Sequence, residues 1–296
     1  MGVYNLFEDM FDTAIYEVEA PGQVRVEHGP ISMRIRAEQG GSAHTQAALQ
    51  GGHSAVAILD ELARYQHFAK MEIGLIRVDP SFPEVLNRMI IAAKITGDST
   101  VTPMVAVAGT ISELVAETAE SAGASTLYIE NGGDIALMVE PGRTLRIGIA
   151  QDLNTKQISH VIIVDNSSGI RGICTSGLGG RSFTKGVATA AVAIGKSASI
   201  ADACATLIGN ATLIDDPAVE QDLADKKDPL TDIVGHLVTT RVGRLSEESV
   251  AKALAQGIAK GREFIDRGLL EGVVVVVQGE IRMFPQNIAI ARSNGT

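Results

Sequence analysis

Apolar and polar residues alternate from Val24 to Ile35, with Val24, Val26, Ile31, Met33 and Ile35 on one face and His28-Gly29-Pro30 between them. A period of two around a turn sequence predicts a β-hairpin with one wet face. From His53 to Ala69 the period changes: Val56, Ile58, Leu59, Leu62 and Ala63 recur at helical spacing, which predicts a surface helix with Gly51-Gly52 as its start signal. Pro83 suits the first turn of a second helix, where its missing N–H leaves nothing unpaired, and Leu86, Met89, Ile90 and Ala93 form the inward stripe. Thr110-Ile-Ser-Glu113 reads as a capping box opening a third helix, carried on by Leu114, Val115 and Thr118 and closed by Gly123.

Beyond that point β-rich runs at Thr126–Glu130, Ile135–Glu140 and Leu145–Ala150 are separated by Asn131-Gly-Gly-Asp134 and Pro141-Gly-Arg-Thr144, which predicts three antiparallel strands. His160–Val164, Ile170–Thr175 and Val187–Ile194 continue the strand pattern. Ser197–Ile208, rich in Ala and Ile, predicts a buried helix, and Ser246–Arg267 a further one. The chain closes with a hairpin of Val273–Val277 and Glu280–Phe284 joined at Gln278-Gly279. Strands and helices come in groups, so the expected class is α+β, with mixed or antiparallel sheets packed against helices. Residues 1–20 lack a period and read as an N-terminal arm, and residues 21–296 as a single domain whose polar stretch 213–245 is an excursion over the surface.

Composition narrows the partners. Trp is absent, aromatics are 4% and Gly reaches 31 residues, so the core is aliphatic and built at close backbone approach, and base-stacking platforms are disfavoured. Lys and Arg number 25 against 35 Asp and Glu, and the basic residues are dispersed, which argues against duplex nucleic acid, whose affinity comes from phosphate neutralisation. The first twelve residues carry three acids and no basic start, and no apolar run approaches the ~20 residues of a membrane helix. A cytoplasmic protein without membrane partners is expected, and the aliphatic, glycine-rich composition suggests a homodimer. Cys174 and Cys204 read as reduced buried thiols, with a single bridge between them the alternative.

Three segments offer chemistry. Asn131-Gly132-Gly133-Asp134 is ordinary hairpin-turn sequence; equally, its glycines leave backbone N–H groups uncovered for an anion, with Asp134 placed to orient a ribose or a cation. Cys174-Thr175-Ser176-Gly177-Leu178-Gly179-Gly180-Arg181 is either a flexible loop or a cradle of hydroxyls, glycines and a guanidinium for phosphate; its spacing fits neither a Walker loop nor a dinucleotide fingerprint. Asp202 and Thr206 share a face of their helix and offer hard oxygens suited to Mg²⁺. Asp9 with Thr13 and Asp98 with Thr102 have the same separation, so only the apolar setting of Asp202 distinguishes it. A buried carboxylate there needs a cation or several donors, such as the amides of a neighbouring helix end. The six histidines show no zinc spacing.

Taken in order, Asn131-Gly-Gly-Asp-Ile135, Thr175-Ser-Gly177 and Ala201-Asp-Ala-Cys-Ala-Thr206 resemble signatures of the ApbE-type FAD:protein FMN transferases. Asp79-Pro-Ser-Phe82 and Thr102-Pro-Met-Val-Ala-Val-Ala-Gly109 look more like a smaller group of ApbE-related proteins, and the resemblance covers roughly residues 75–290. It implies an ApbE-like fold that binds FAD or FMN, with Mg²⁺ assisting pyrophosphate cleavage and FMN passing to a Thr or Ser of a target. Carried over, Asp202 and Thr206 match the metal ligands, while Asn131, Gly132, Gly133 and Asp134 with Thr175, Ser176, Gly177, Gly179, Gly180 and Arg181 line the nucleotide site. Where the transferases carry His-x-x-Asp-Pro-x-Thr-Gly, this chain has Arg181-Ser-Phe-Thr-Lys-Gly186. Arg181 and Lys185 can neutralise phosphate charge there, but neither is a general base at neutral pH. Three functions follow: Mg²⁺-dependent chemistry on a flavin nucleotide or other small anion, flavin or nucleotide binding without turnover, or an unrelated reaction in the same cleft.

Overall fold

The structure, a computed structural model, describes residues 14–152 and 157–292. In chain order its elements are β1 (Ile15–Ala20), β2 (Gln23–His28), β3 (Ile31–Gln39), β4 (Ser42–Ala43), α1 (Thr45–Ala63), α2 (Gln66–Ala69), α3 (Glu84–Ile95), α4 (Val107–Ser121), β5 (Thr126–Asn131), β6 (Asp134–Met138), β7 (Thr144–Asp152) and β8 (Gln157–Asp165). They continue with β9 (Gly172–Ser176), β10 (Ala190–Gly195), α5 (Ala198–Ala211), β11 (Val219–Leu223), α6 (Ala224–Lys227), β12 (Leu237–Val242), α7 (Glu247–Asp266), β13 (Gly272–Val277), β14 (Glu280–Phe284) and β15 (Ile290–Ala291). Every strand pairing among the described residues is antiparallel, so the α+β reading holds in its antiparallel form.

The main sheet runs in the order β1-β2-β3-β5-β6-β9-β10-β13-β14, with β4 on β3. Its two faces carry different cores. Val273, Val275 and Val277 face a cluster shared with Leu86, Val115, Ile208 and Phe264 of the helices. Val274 faces a second cluster with Ile147, Ile149, Ile162 and Val164 from the three-stranded sheet β15-β8-β7. The uninterrupted valine run is thus a strand covered on both faces, which removes the polar alternation a half-wet strand would show.

Several expectations shift at element ends. Ile15–Ala20, placed in the arm from sequence, is an edge strand paired with β2; its side chains are mostly exposed, so no apolar period marks it. Residues 1–13 of that arm lie outside the described residues. Gly51 and Gly52 do not start α1 but lie within it, buried: a Cβ on Gly51 would sit 3.2 Å from Val115 and one on Gly52 2.9 Å from Val26, so they serve packing. The helix predicted to reach Ala69 breaks after Ala63 into α1 and α2. β7 does not join β5 and β6 but pairs with β8 in the small sheet, because Leu145, Ile147 and Ile149 point back at the main sheet's second face. The segment 213–245 contains a two-stranded sheet of β11 and β12. Both cysteines are free and buried.

α7 approaches β13 through Gly257 and Gly261, where a Cβ would come within 2.8 Å of Thr212 and 2.6 Å of Val273 respectively. Replacing a helical Gly by Ala normally stabilises by about 1 kcal/mol, while overpacking costs about 1–3 kcal/mol. Gly261→Ala is therefore expected to lose about 1 kcal/mol in urea unfolding. A gain in stability would contradict this close approach.

Candidate functional site

α4 and α5 pack so closely that a Cβ on Gly109 would overlap the Ala198 carbonyl and lie 2.7 Å from Asp202 Cβ. At this contact each helix caps the other. Asp202 of α5 accepts a hydrogen bond of 2.8 Å from the Gly109 N–H in the first turn of α4. Glu113 of α4 accepts 2.7 Å from the Ser197 hydroxyl and 3.1 Å from the Ser199 N–H at the start of α5. Thr110 and Glu113 therefore do not form the capping box expected from sequence: α4 begins three residues earlier, after a 3₁₀ turn at Pro103–Ala106 that Thr102 caps. The Thr110 hydroxyl is buried without a hydrogen-bond partner in the structure, and Glu113 serves the neighbouring helix instead.

Asp202 is 9% exposed and Asp134 8%. Asp134, the last residue of Asn131-Gly-Gly-Asp, accepts 3.2 Å from the Thr175 N–H of β9, and its own carbonyl accepts 3.3 Å from the Ser112 hydroxyl of α4. Burial pushes the Asp134 carboxyl up to about 7, against the pull of the Thr175 amide, the Cys174 thiol and the Arg181 charge. Burial also pushes Asp202 well above the usual carboxylate range, with repulsion from Asp134 second and the Gly109 and Ala108 amides opposing. Cys174, raised by burial and then by both carboxylates, donates its thiol proton to the Ala198 carbonyl at 3.3 Å and is no nucleophile.

The two glycine segments converge on this acid pair. Gly132 (φ +68°) and Gly133 (φ +107°) make the two-residue turn between β5 and β6, where both central positions need the left-handed region. A Cβ on Gly132 would also meet the Arg181 guanidinium, so a side chain there would displace that group. Arg181 donates 2.6 Å to the Pro30 carbonyl and 3.3 Å to Asn131 Oδ1, pinning the 177–186 loop across two turns. Among the described residues Arg181 has no carboxylate in ion-pair contact, and its charge acts at longer range on Glu27 and Asp134. Ser176 ends β9, and Gly177 (φ +135°), just after it, fits under the Ala188 and Thr189 carbonyls.

Thr206 is half-buried one turn beyond Asp202 on α5, and Asn210 one turn further on the same face. Asn210 Oδ1 accepts 2.8 Å from the Lys185 N–H, so this face joins the acid pair to the far end of the 177–186 loop. The i, i+4, i+8 spacing would have revealed Asn210, which the sequence reading passed over; Glu113 carried a signal that pointed to the wrong helix. Two open grooves lie elsewhere, one of about 790 Å³ walled by Asp60, Glu61, Arg64, Glu84 and Glu117, the other of about 610 Å³ along α7. Neither touches the acid pair or the glycine turns, and neither gathers comparable chemistry.

A family model described as AbpE bacteria matches residues 15–283. The chain belongs to this family. It is 37% identical over 164 residues to a UPF0280 protein of Methanococcoides burtonii, covering 55% of this chain and 66% of the relative. Against UPF0280 proteins of Methanococcus aeolicus and Methanosarcina barkeri the identities are 40% and 35%, covering 46% and 60% of this chain and 54% and 68% of theirs. The matched segments thus span only about half to two thirds of these relatives. Among solved structures, the Pseudomonas stutzeri flavinyl transferase ApbE matches at 13% identity and a TM-score of 0.45, covering 85% of this chain and 89% of that one. A variant of the flavin transferase ApbE from Vibrio cholerae matches at 13% identity and 0.46, covering 93% and 97%. Among the described residues no helix of this family member is long and apolar enough to cross a membrane.

The raised carboxyls fix the sign of a pH effect. Unfolded, Asp134 titrates near 3.8; folded, at about 7. Below the lower value both states are protonated and the group costs nothing; above the higher one both are ionised and the cost is complete. In chelator, stability is expected to fall between about pH 4 and pH 7 by on the order of a few kcal/mol, and Asp134→Asn to flatten that fall. Urea midpoints across this range, equally steep for wild type and variant, would refute the assignment.

Proposed function

We propose that this chain binds a flavin nucleotide, or a similar anionic small molecule, where the Asn131–Asp134 turn meets the Thr175–Arg181 loop. The observation that carries the reading is the convergence of two glycine turns and the Arg181 guanidinium on a pair of buried carboxyls. Backbone N–H groups at Gly132, Gly133 and Gly179 with the Arg181 charge suit phosphoryl oxygens, and the Thr175 and Ser176 hydroxyls suit a ribityl or ribose chain. FAD or FMN is the ligand class that agrees with the sequence resemblance.

The donor set also fits Mg²⁺. Two carboxyls held in a low-dielectric setting, one raised by the other, are a pair that a divalent cation would neutralise. Mg²⁺ commonly takes only one or two protein carboxylates and completes its shell with water and substrate phosphates, so the lack of a three-residue His/Cys/Asp/Glu cluster among the described residues agrees with it. Asp202 and Thr206 would hold the ion, with Asp134 contributing charge nearby. When bound, such an ion polarises a phosphoryl oxygen and stabilises a leaving oxygen, the chemistry needed for pyrophosphate cleavage or nucleotide transfer. Arg181 would neutralise a second phosphoryl group, and the apolar surroundings of Cys174 and Ala198 would keep water from the acid pair.

A second reading, binding without turnover, is favoured by the 181–186 segment, whose Arg, Ser, Phe, Thr, Lys and Gly include no base for proton abstraction at neutral pH. Calorimetric titration with FAD, FMN and ADP, each with and without Mg²⁺, tests both. Mg²⁺-dependent binding is expected, weakened about tenfold or more in Asp202→Asn, which keeps an acceptor for the Gly109 amide while removing the charge. AMP release from FAD would select the enzyme. No binding of any of the three by the wild type would sink the proposal.

A further inference from the structure

Lys185 is held from every side. Its N–H donates to Asn210 Oδ1, and its carbonyl accepts 3.1 Å from Gln221 Nε2 and 2.9 Å from the Thr239 hydroxyl. Thr239 in turn donates its N–H at 2.8 Å to the Thr184 carbonyl. With the main chain clamped by α5, β11 and β12, the side chain reaches His236, Nζ to Nδ1 at 2.9 Å. An ammonium has only donors, so Nδ1 is the acceptor and the imidazole carries its proton on Nε2. His236 is itself fixed: its carbonyl accepts 2.9 Å from the Ala224 N–H, and its N–H donates 3.2 Å to the Ile233 carbonyl. Four residues before it, Asp232 accepts the Thr102 hydroxyl proton.

Three features give this pair an anion to bind rather than a purely mechanical task. The Lys185 side chain forms no ion pair among the described residues, although the chain has ten more acids than bases; its hydrogen-bond partner is the His236 ring. Removing a cation from water without a counter-charge is costly, and an incoming anion offsets that cost. Two hydroxyls also meet on α5 next to the residue that holds the Lys185 main chain: a Cβ on Gly209 would lie 3.6 Å from Thr184 Oγ1 and 3.7 Å from Ser176 Oγ, and Asn210 accepts from the Lys185 N–H. Lys185 thus sits at the end of the loop whose other end presents Arg181, so two cations bracket residues 182–184.

We propose that Lys185 and His236 form a phosphoryl-binding subsite, with the Lys185 ammonium and the His236 Nε2–H as its donors, and that the β11–β12 excursion exists in the fold to supply His236. The inference rests on reading the adjoining loops as an anion site, and it adds a residue from outside them. The ligand is identified by chemistry as a phosphoryl group, carried by a nucleotide or by free pyrophosphate.

The test is titration of inorganic phosphate, pyrophosphate, ADP, riboflavin and FAD into wild type, Lys185→Gln and His236→Ala, with melting temperatures recorded for each. Lys185→Gln keeps a donor for His236 and removes the charge, so it separates binding from fastening. The expected result is pyrophosphate and ADP affinity reduced about tenfold in both variants, riboflavin affinity unchanged, and the melting point of Lys185→Gln within about 2 °C of wild type. Phosphate affinities equal to wild type in a folded Lys185→Gln would overturn the proposal, showing that the pair only fastens the excursion. A wild type that binds no phosphate compound would overturn it too. Pyrophosphate binding that depends on both residues without any flavin binding would uphold this subsite and reject the flavin reading. FAD binding indifferent to both variants would do the reverse.

Discussion

The contact between α4 and α5 at Gly109 is the constraint on which the site depends. Because no side chain occupies that position, the two backbones come close enough for Asp202 to reach the first-turn amides of α4, while Glu113 reaches back to the first turn of α5. Each carboxylate meets unpaired N–H groups at the positive end of the opposite helix, where it is stabilised by both hydrogen bonding and the aligned peptide dipoles. The exchange locks the register of two helices that also carry Ser112 against the β5–β6 turn and Asn210 against the 177–186 loop. A shift of either helix would move all the groups assigned to the site together.

That arrangement holds charge in a dry place. Two amide donors lower the energy of ionised Asp202, yet burial and the neighbouring Asp134 outweigh them. The protein stores an electrostatic cost that protonation relieves in part and that a divalent cation would relieve fully. On the proposed reading, stability and ligand binding are coupled through the same two carboxyls, as expected of a site placed at the expense of the core around it.

The loop from Gly177 to Gly186 shows how the fold distributes positive charge. Arg181 is tied to backbone and amide oxygens and Lys185 to an imidazole, in a chain with abundant carboxylates. Both cations are thereby positioned by neutral groups, and they stand at the two ends of residues 182–184. The small sheet β11–β12 grips the Lys185 end through Gln221 and Thr239, so an excursion that adds little to either hydrophobic core bears directly on the site.

Most of the secondary structure was legible from the chain itself. The helices at Pro83, Ser197 and Ser246 and the hairpins at His28-Gly29-Pro30 and Gln278-Gly279 rest on local signals, apolar period and turn chemistry, and they stand where those signals put them. The Asn131–Asp134 and Thr175–Arg181 segments and Asp202 could likewise be named in advance, because glycine clusters and an acid in an apolar helix are visible in one dimension. What the sequence could not show is which partner satisfies each group. Glu113 has the spacing of a cap for its own helix but caps another; Gly51 and Gly52 have the composition of a boundary but lie inside a helix; His236 has no local signal at all. Local propensity depends on neighbours within a few residues, and a sequence records those directly. The pairing of Asp202 with Gly109, of Arg181 with Asn131 and of Lys185 with His236 joins residues dozens of positions apart, and only the packing of the two helices on the sheet decides it.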